Sequence, residues 1–311
     1  MKQMYDAFCT LPIVKSQFGN LPESEYLVIS RRAVLGAVPK SVAVIREILL
    51  NNHFVGSLRD LIFYRFGFDI ATIDDEKASM IVKLPDDIDE IMEQIAPFII
   101  LLENRGDYEC ENLLAYFDNC GLTKASYPAL VDIGYSGTIQ RYIHSLANVK
   151  TAGYYLITRD TTQKWVSADN STKGCLGDNI SADSQLPVFK FNLYIEAWLS
   201  APFGQLSYYE KNANSGDVFP VYNPLENVKS YFSVNEEICS GIIEYFKDAA
   251  SLCIQNLDEL NMTSENVQKL FKLHVYQDTW DNDTRKISHL EDKFCGNDNI
   301  DIITAYKNYV L

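Results

Sequence analysis

The chain is predicted to fold as a layered α/β protein: a Rossmann-like sheet with flanking helices, continued by a mostly helical C-terminal part. Three observations predict it. The run ALVDI at 129 to 133 is apolar and of strand length, and it leads through a glycine-bearing turn into an amphipathic helix. TAGYYLIT at 151 to 158 reads as the next strand, which closes a strand, helix, strand unit with an expected right-handed crossover. Helical patterns fill most of the chain between the β-prone stretches, as a layered sheet requires.

Taken in order, residues 26 to 30 form a short β-prone segment that runs directly into Arg31, Arg32 and the helix-like AVLGAV, a second strand-to-turn switch. Helices are expected at 41 to 51, 57 to 66, 86 to 103 and 108 to 120. Asp86, Asp87, Asp89 and Glu90 complement the N-terminus of the third, while Asp74 and Asp75 read as turn residues. Residues 159 to 187 have the Asp, Asn, Ser, Thr and Gly content of a loop, able to hold a hairpin, a lid or a variable insertion. A helix around Glu196 then meets a Pro202/Gly204 break and an aromatic-rich segment ending near Tyr209. Further helices are expected at 235 to 257 and 264 to 274, the latter capped by Thr263 or Ser264. The polar stretch from 277 to 299 has Trp280 and Phe294 as anchors. Residues 1 to 160 are thus read as an α/β core and 161 to 311 as a loop-rich, helical part packed on it.

Composition narrows the function. With 311 residues, 47% of them hydrophobic, the chain can bury a substantial core. Its formal charge of −15 opposes approach to DNA or RNA. No apolar run approaches the ~20 residues of a membrane span, and the start MKQMYDAFCTLPIV lacks the long apolar core of a secretion signal, so a cytoplasmic protein is expected. The seven cysteines are scattered without a C-x-x-C pair and read as reduced structural thiols. His144, the histidine nearest the glycine turn, reads as a packing or surface residue. The glycosylation-type matches at Asn170, Asn179, Asn261 and Asn282 carry no weight without a secretion signal.

The chemistry concentrates in the stretch 129 to 143. Gly134 and Gly137 permit backbone geometry other residues resist, and Thr138 is placed to cap a helix beginning at Ile139. The turn of Gly134, Tyr135, Ser136, Gly137 and Thr138 would then aim unpaired N–H groups at a phosphate. Asp132, near the carboxyl end of its strand, is the candidate catalytic carboxylate and the candidate ligand of Mg²⁺ or of sugar hydroxyls. If the segment 26 to 30 is a parallel neighbour of this strand, Arg31 and Arg32 face the same anion, Arg31 in a catalytic role and Arg32 as a phosphate ligand. The bland alternative for both arginines is solvent, or a partner among the 42 acidic residues.

The segments YLVISRRA (26 to 33), ENLLAYF (111 to 117), ALVDIGYSGTIQ (129 to 140) and IEAWLSAPFG (195 to 204) also carry a resemblance. Over most of its length the chain resembles the region that follows the hydrolase domain in predicted haloacid dehalogenase superfamily proteins of bacterial surface-polysaccharide loci. The resemblance implies a role in capsule or lipopolysaccharide production, binding a phosphorylated sugar or nucleotide, with transferase or hydrolase chemistry. The alternative is a noncatalytic scaffold beside a glycosyltransferase or hydrolase partner. The chain departs from the superfamily in having no D-x-D-x-[TV] segment, so no aspartyl nucleophile is assigned. MKQMYDAF is similar to the helix that follows an R-D-G turn in those proteins, which implies a missing initial strand and an incomplete or split-gene domain. The turn also bears partial similarity to phosphoribosyltransferases, where Ile133 replaces a second acidic residue, and Asp132, Gly134 and Thr138 match the D-x-G-x-x-x-T spacing of sugar-kinase-like ATPases.

Overall fold

A computed structural model describes residues 1–38, 41–70, 75–167, 169–201, 203–223, 229–252, 263–275, 289–304 and 306. The predicted class is correct: a parallel three-stranded sheet is flanked by helices. Asp74, Pro202, Cys253, Asn261, Trp280 and Asn282 fall outside the described residues.

The first part of the chain is helical. Helices α1 (Lys2–Thr10) and α2 (Pro12–Phe18) lead to an extended segment and then to α3 (Arg31–Gly36) and α4 (Val42–Leu49). A small antiparallel pair follows, β1 (Phe54–Ser57) with β2 (Ile81–Leu84), enclosing α5 (Leu58–Phe66) and the single turn α6 (Asp75–Ala78). Residues 26 to 30 are not the predicted strand. The segment is extended but unpaired, and its backbone is satisfied by tyrosines instead of a ladder: the Val28 N–H donates to Tyr116 Oη at 2.8 Å, and Tyr209 Oη donates to the Val28 carbonyl. The two strand-to-turn switches therefore do not share a sheet.

The helices between 86 and 120 also break in a different place. Helix α7 (Ile88–Ile95) passes through a 3₁₀ turn at Ala96–Phe98 into the long α8 (Ile99–Asn119). The interruption falls at Pro97, whose missing N–H and ring disfavour an unbroken helix, and not at 104 to 107. Gly106 is tolerated there because it is buried within α8.

The parallel sheet comprises β3 (Ala129–Asp132), β4 (Thr151–Arg159) and β5 (Asn170–Ile180), in the order β3-β4-β5, with α9 (Thr138–Ala147) in the crossover between the first two. The prediction of a loop across 159 to 187 missed β5, whose Gly174, Gly177 and polar side chains read as turn chemistry. Gly174 is needed because a Cβ there would collide with the Gly177 carbonyl, and the pairing with β4 shifts register twice, the signature of bulges. The sheet consequently crosses the boundary drawn at residue 160.

Helices α10 (Pro187–Lys190) and α11 (Asn192–Trp198) precede the antiparallel hairpin β6 (Leu206–Lys211) and β7 (Val218–Tyr222). Helices α12 (Lys229–Leu252) and α13 (Ser264–Val275) and a second hairpin, β8 (His289–Asp292) with β9 (Asn297–Asp301), complete the described chain. One large apolar core joins α3, α4, α5, α7 and α8 to Tyr142 and Ile143 of α9 and to Leu206 and Tyr209 of β6. A smaller one joins Ile157 of β4 to Val188 and Ile195. These two cores hold the sheet from its sides and fix the loops at its carboxyl edge.

Candidate functional site

Asp132 ends β3, and the chain turns at once through Gly134 to Gly137 into α9. Gly134 has φ 146°, the Gly134–Tyr135 peptide is cis, and Gly137 has φ 62°. A side chain is excluded at both glycines: a Cβ on Gly134 would meet the Ile157 carbonyl, and one on Gly137 would meet the Trp165 ring. The helix cap differs from the predicted one. Gly137, in the left-handed conformation, is the N-cap, no side chain caps the helix, and Thr138 is its first residue.

The consequence is a run of backbone donors left without an acceptor. Among the described residues, no acceptor is found for the backbone N–H of any residue from Gly134 to Gln140. The first three helical N–H groups are orphaned in any helix, and here the preceding loop adds four more. Successive donors of this kind, at the positive end of a helix of ten residues, form a surface suited to an anion. The loop is anchored from behind. Its Tyr135 carbonyl accepts from the Arg159 N–H at 2.9 Å, its Ser136 carbonyl accepts from Trp165 Nε1 at 3.1 Å, and the Ser136 and Thr161 hydroxyls lie 3.3 Å apart.

Asp132 is partly buried. Burial pushes its carboxyl above the ordinary carboxylate range, opposed by the Ile133 N–H, which donates to Oδ1 at 2.7 Å, and by the positive charge of Arg31. Burial, and then the Asp132 charge, raise the Tyr155 phenol, which donates to Gln140 Oε1 at 2.8 Å. The carboxylate is thus held at the strand's end in a weakly solvated place, where the charge of Arg31 partly offsets its burial. Among the described residues no group of three or more His, Cys, Asp and Glu could hold a metal ion. Asp132 alone suits Mg²⁺ only if phosphate oxygens and water fill the other positions, an arrangement this hard cation commonly adopts.

The S-R-R motif separates into three roles. Ser30 caps α3, its Oγ accepting from the Ala33 N–H at 3.0 Å and donating to the Leu206 carbonyl at 2.6 Å. Arg31 lies within electrostatic reach of Asp132, with its guanidinium 5.5 Å from the Phe294 ring centroid. Arg32 is corrected: it is no phosphate ligand. Its guanidinium is 1% exposed and engages Glu109 through two hydrogen bonds of 2.5 and 2.8 Å, so the charge it would offer an anion is already neutralised.

Two residues at the edge were not anticipated. Arg159 ends β4, directly beside the loop; among the described residues its buried Nε has no hydrogen-bond partner and its side chain makes no ion pair. Its position, first after the predicted strand TAGYYLIT, is the signal that could have found it. Trp165, which packs on Gly137, lay in the stretch read as a loop, where nothing in the sequence marked it. Glu196 is partly buried, and its charge raises the Tyr135 phenol further after burial has done most of the work. His144 is a packing residue near the C-terminus of α9, its Nδ1 3.3 Å from the Val149 carbonyl.

No protein-family model matches the chain, and no curated protein matches it either.

One prediction arises directly. A carboxyl whose pKa is raised on folding favours the native state most below its unfolded value of about 3.9. That contribution is lost as pH rises through the raised folded value. Asp132→Asn is therefore expected to raise the ligand-free melting temperature by about 2–4 °C at neutral pH, with the gap over wild type shrinking as pH falls towards 4. Differential scanning calorimetry at pH 4, 5.5 and 7.5 measures it, and a gap independent of pH would show that ionisation of Asp132 is not its cause.

Proposed function

We propose that the chain binds a phosphorylated sugar or nucleotide at the carboxyl edge of its parallel sheet and serves bacterial surface-polysaccharide biosynthesis in the cytoplasm, as a transferase or hydrolase. The observation that carries the binding is the run of N–H groups from Gly134 to Gln140 that have no acceptor among the described residues. The polysaccharide context rests on the resemblance of the four sequence segments. No helix among the described residues is long and apolar enough to cross a membrane.

In this reading Gly134, Tyr135, Ser136, Gly137 and Thr138 hold the phosphate, mainly through backbone donors. Asp132 positions sugar hydroxyls, or Mg²⁺ bridged to a phosphate oxygen, and Arg31 offsets the negative charge of ligand and carboxylate together. Transfer or hydrolysis at such a site proceeds by orientation and electrostatic stabilisation, with fixed dipoles aimed at the charge that develops.

The test is a thermal-shift screen with Mg²⁺ and, separately, phosphate, phosphoribosyl pyrophosphate, nucleotides and nucleotide sugars, since a ligand that binds only the native state raises its stability. A selective shift that is reduced in Asp132→Asn and in Thr138→Val is expected. A cooperative melt with no shift from any compound would refute the reading.

A second reading, a noncatalytic partner of a glycosyltransferase or hydrolase, is favoured by one observation. Parallel sheets are ordinarily covered on both faces, yet here Val131 and its register partner Tyr154 are 63% and 45% exposed, on a sheet whose β3 is an edge strand. Copurification of such an enzyme, together with failure to bind any phosphate compound, would decide for it.

A further inference from the structure

We infer that the open edge of β3 pairs with the same edge of a second copy of the chain, joining two three-stranded sheets into one continuous sheet about a two-fold axis at Leu130. The inference is independent of the phosphate reading, and it assigns the exposure of Val131 to self-association instead of to an enzyme partner.

The register of β3 on β4 decides which backbone groups are free. Ala129 stands opposite Ala152 and Val131 opposite Tyr154, and the Ala152 N–H donates to the Pro128 carbonyl at 3.1 Å. In a parallel ladder that phase turns the backbone groups of Leu130 and Asp132 towards β4, and directs the N–H and C=O of Ala129 and Val131 away from it. Among the described residues β3 has no second neighbour strand, and those four groups gain no partner.

Edge strands are ordinarily guarded by charge, proline, a bulge or a covering element. At the far side of this sheet α13 supplies the cover: the Leu176 carbonyl of β5 accepts from Ser264 Oγ at 2.7 Å and from Gln268 Nε2 at 3.2 Å. On β3 the outward residues Ala129 and Val131 are uncharged and exposed. An edge of this kind takes an added strand.

The four groups also specify which strand. In an antiparallel pair centred on Leu130, Ala129 faces the second copy's Val131 and Val131 faces its Ala129. Each pair exchanges two N–H···O bonds, so all four groups are used, as an isologous two-fold contact requires. The smaller side chain meets the larger across the axis, and Asp132 faces the second copy's Pro128, so no like charges oppose one another. Charge favours this face over the rest of the surface. The chain carries −15, yet the two exposed rows, Ala129–Ala152–Ser171 and Val131–Tyr154–Lys173, contain no carboxylate and one lysine.

Sedimentation equilibrium of the full chain over a wide concentration range, with amide hydrogen exchange at both ends of that range, tests this. The mass is expected to rise towards twice that of the chain. Exchange at Ala129 and Val131 should slow as it does, while Leu130 and Asp132, already donors to β4, keep their rates. Val131→Lys, a substitution at an exposed position that charges the edge, should weaken the dimer at least about tenfold and leave phosphate affinity unchanged, so that failure of the dimer and failure of the phosphate site show separately. A monomer at every concentration would overturn the inference. So would a dimer in which Ala129 and Val131 exchange as fast as in the monomer, because the contact would then lie elsewhere. Protection of these two amides only on adding a glycosyltransferase or hydrolase would assign the edge to that enzyme and overturn the second copy.

Discussion

Replacing Arg32 by Met is expected to cost about 3–5 kcal/mol of stability, the usual consequence of removing one partner from a buried ion pair. Arg32 and Glu109 are 1% and 2% exposed, and Arg105 adds a third charge, its Nε 2.7 Å from Glu109 Oε1. Without Arg32 the carboxylate of Glu109 would sit in the core with only the partly exposed Arg105 to compensate it. The pocket is closely built: a Cβ on Gly36 would strike both Arg32 and Glu109, and one on Gly67 would strike Arg32. Loss of that size is a large share of the typical 5–15 kcal/mol of a folded domain, so urea unfolding should show a markedly lower midpoint. The double variant Arg32→Met with Glu109→Leu should recover much of the loss, because apolar groups of similar volume replace the whole pair. A single variant as stable as wild type would mean that the pair is not buried as described, and would return Arg32 to the list of anion ligands.

The second large effect is expected at Gly137. Alanine there must adopt φ near 62°, a conformation costing about 1–2 kcal/mol for residues other than glycine, and its methyl must displace the Trp165 ring. Moving that ring also releases its hydrogen bond to the Ser136 carbonyl, so the loop loses both its shape and its anchor. Gly137→Ala is expected to melt several degrees lower and to bind phosphate at least tenfold more weakly, since the donors act only when aligned. Trp165→Phe, which keeps the packing and removes the Nε1 donor, should fall between wild type and Gly137→Ala in affinity. Unchanged binding in Gly137→Ala would mean that the anion sits elsewhere.

Where local chemistry decided the structure, the sequence could be read directly. The run ending at Asp132, the two glycines and the helix after them were legible because an apolar run, a turn residue and a helical period each leave a separate mark. The S-R-R motif was legible as important but not as to why, since Glu109 lies 77 residues from Arg32 and no local pattern announces a long-range ion pair. The strand expected at 26 to 30 failed for the same reason. Its β-prone side chains do favour an extended chain, but the partners of that chain are hydroxyls from Tyr116 and Tyr209, fixed only by tertiary packing. Strand β5 was hidden by its composition, because glycines and polar residues that usually make turns here make bulges and an exposed sheet face. Arg159 and Trp165 join the site only because the sheet brings the end of β4 beside the end of β3.

The central claim is that the N–H groups of residues 134 to 140 form an anion site. It is tested most directly by titrating isotope-labelled protein with inorganic phosphate and following its backbone amide resonances. Saturable shifts concentrated at Gly134 to Gln140, and absent in Gly137→Ala, are the predicted result. Shifts that do not saturate, or that scatter over surface lysines and leave these seven amides in place, would contradict it.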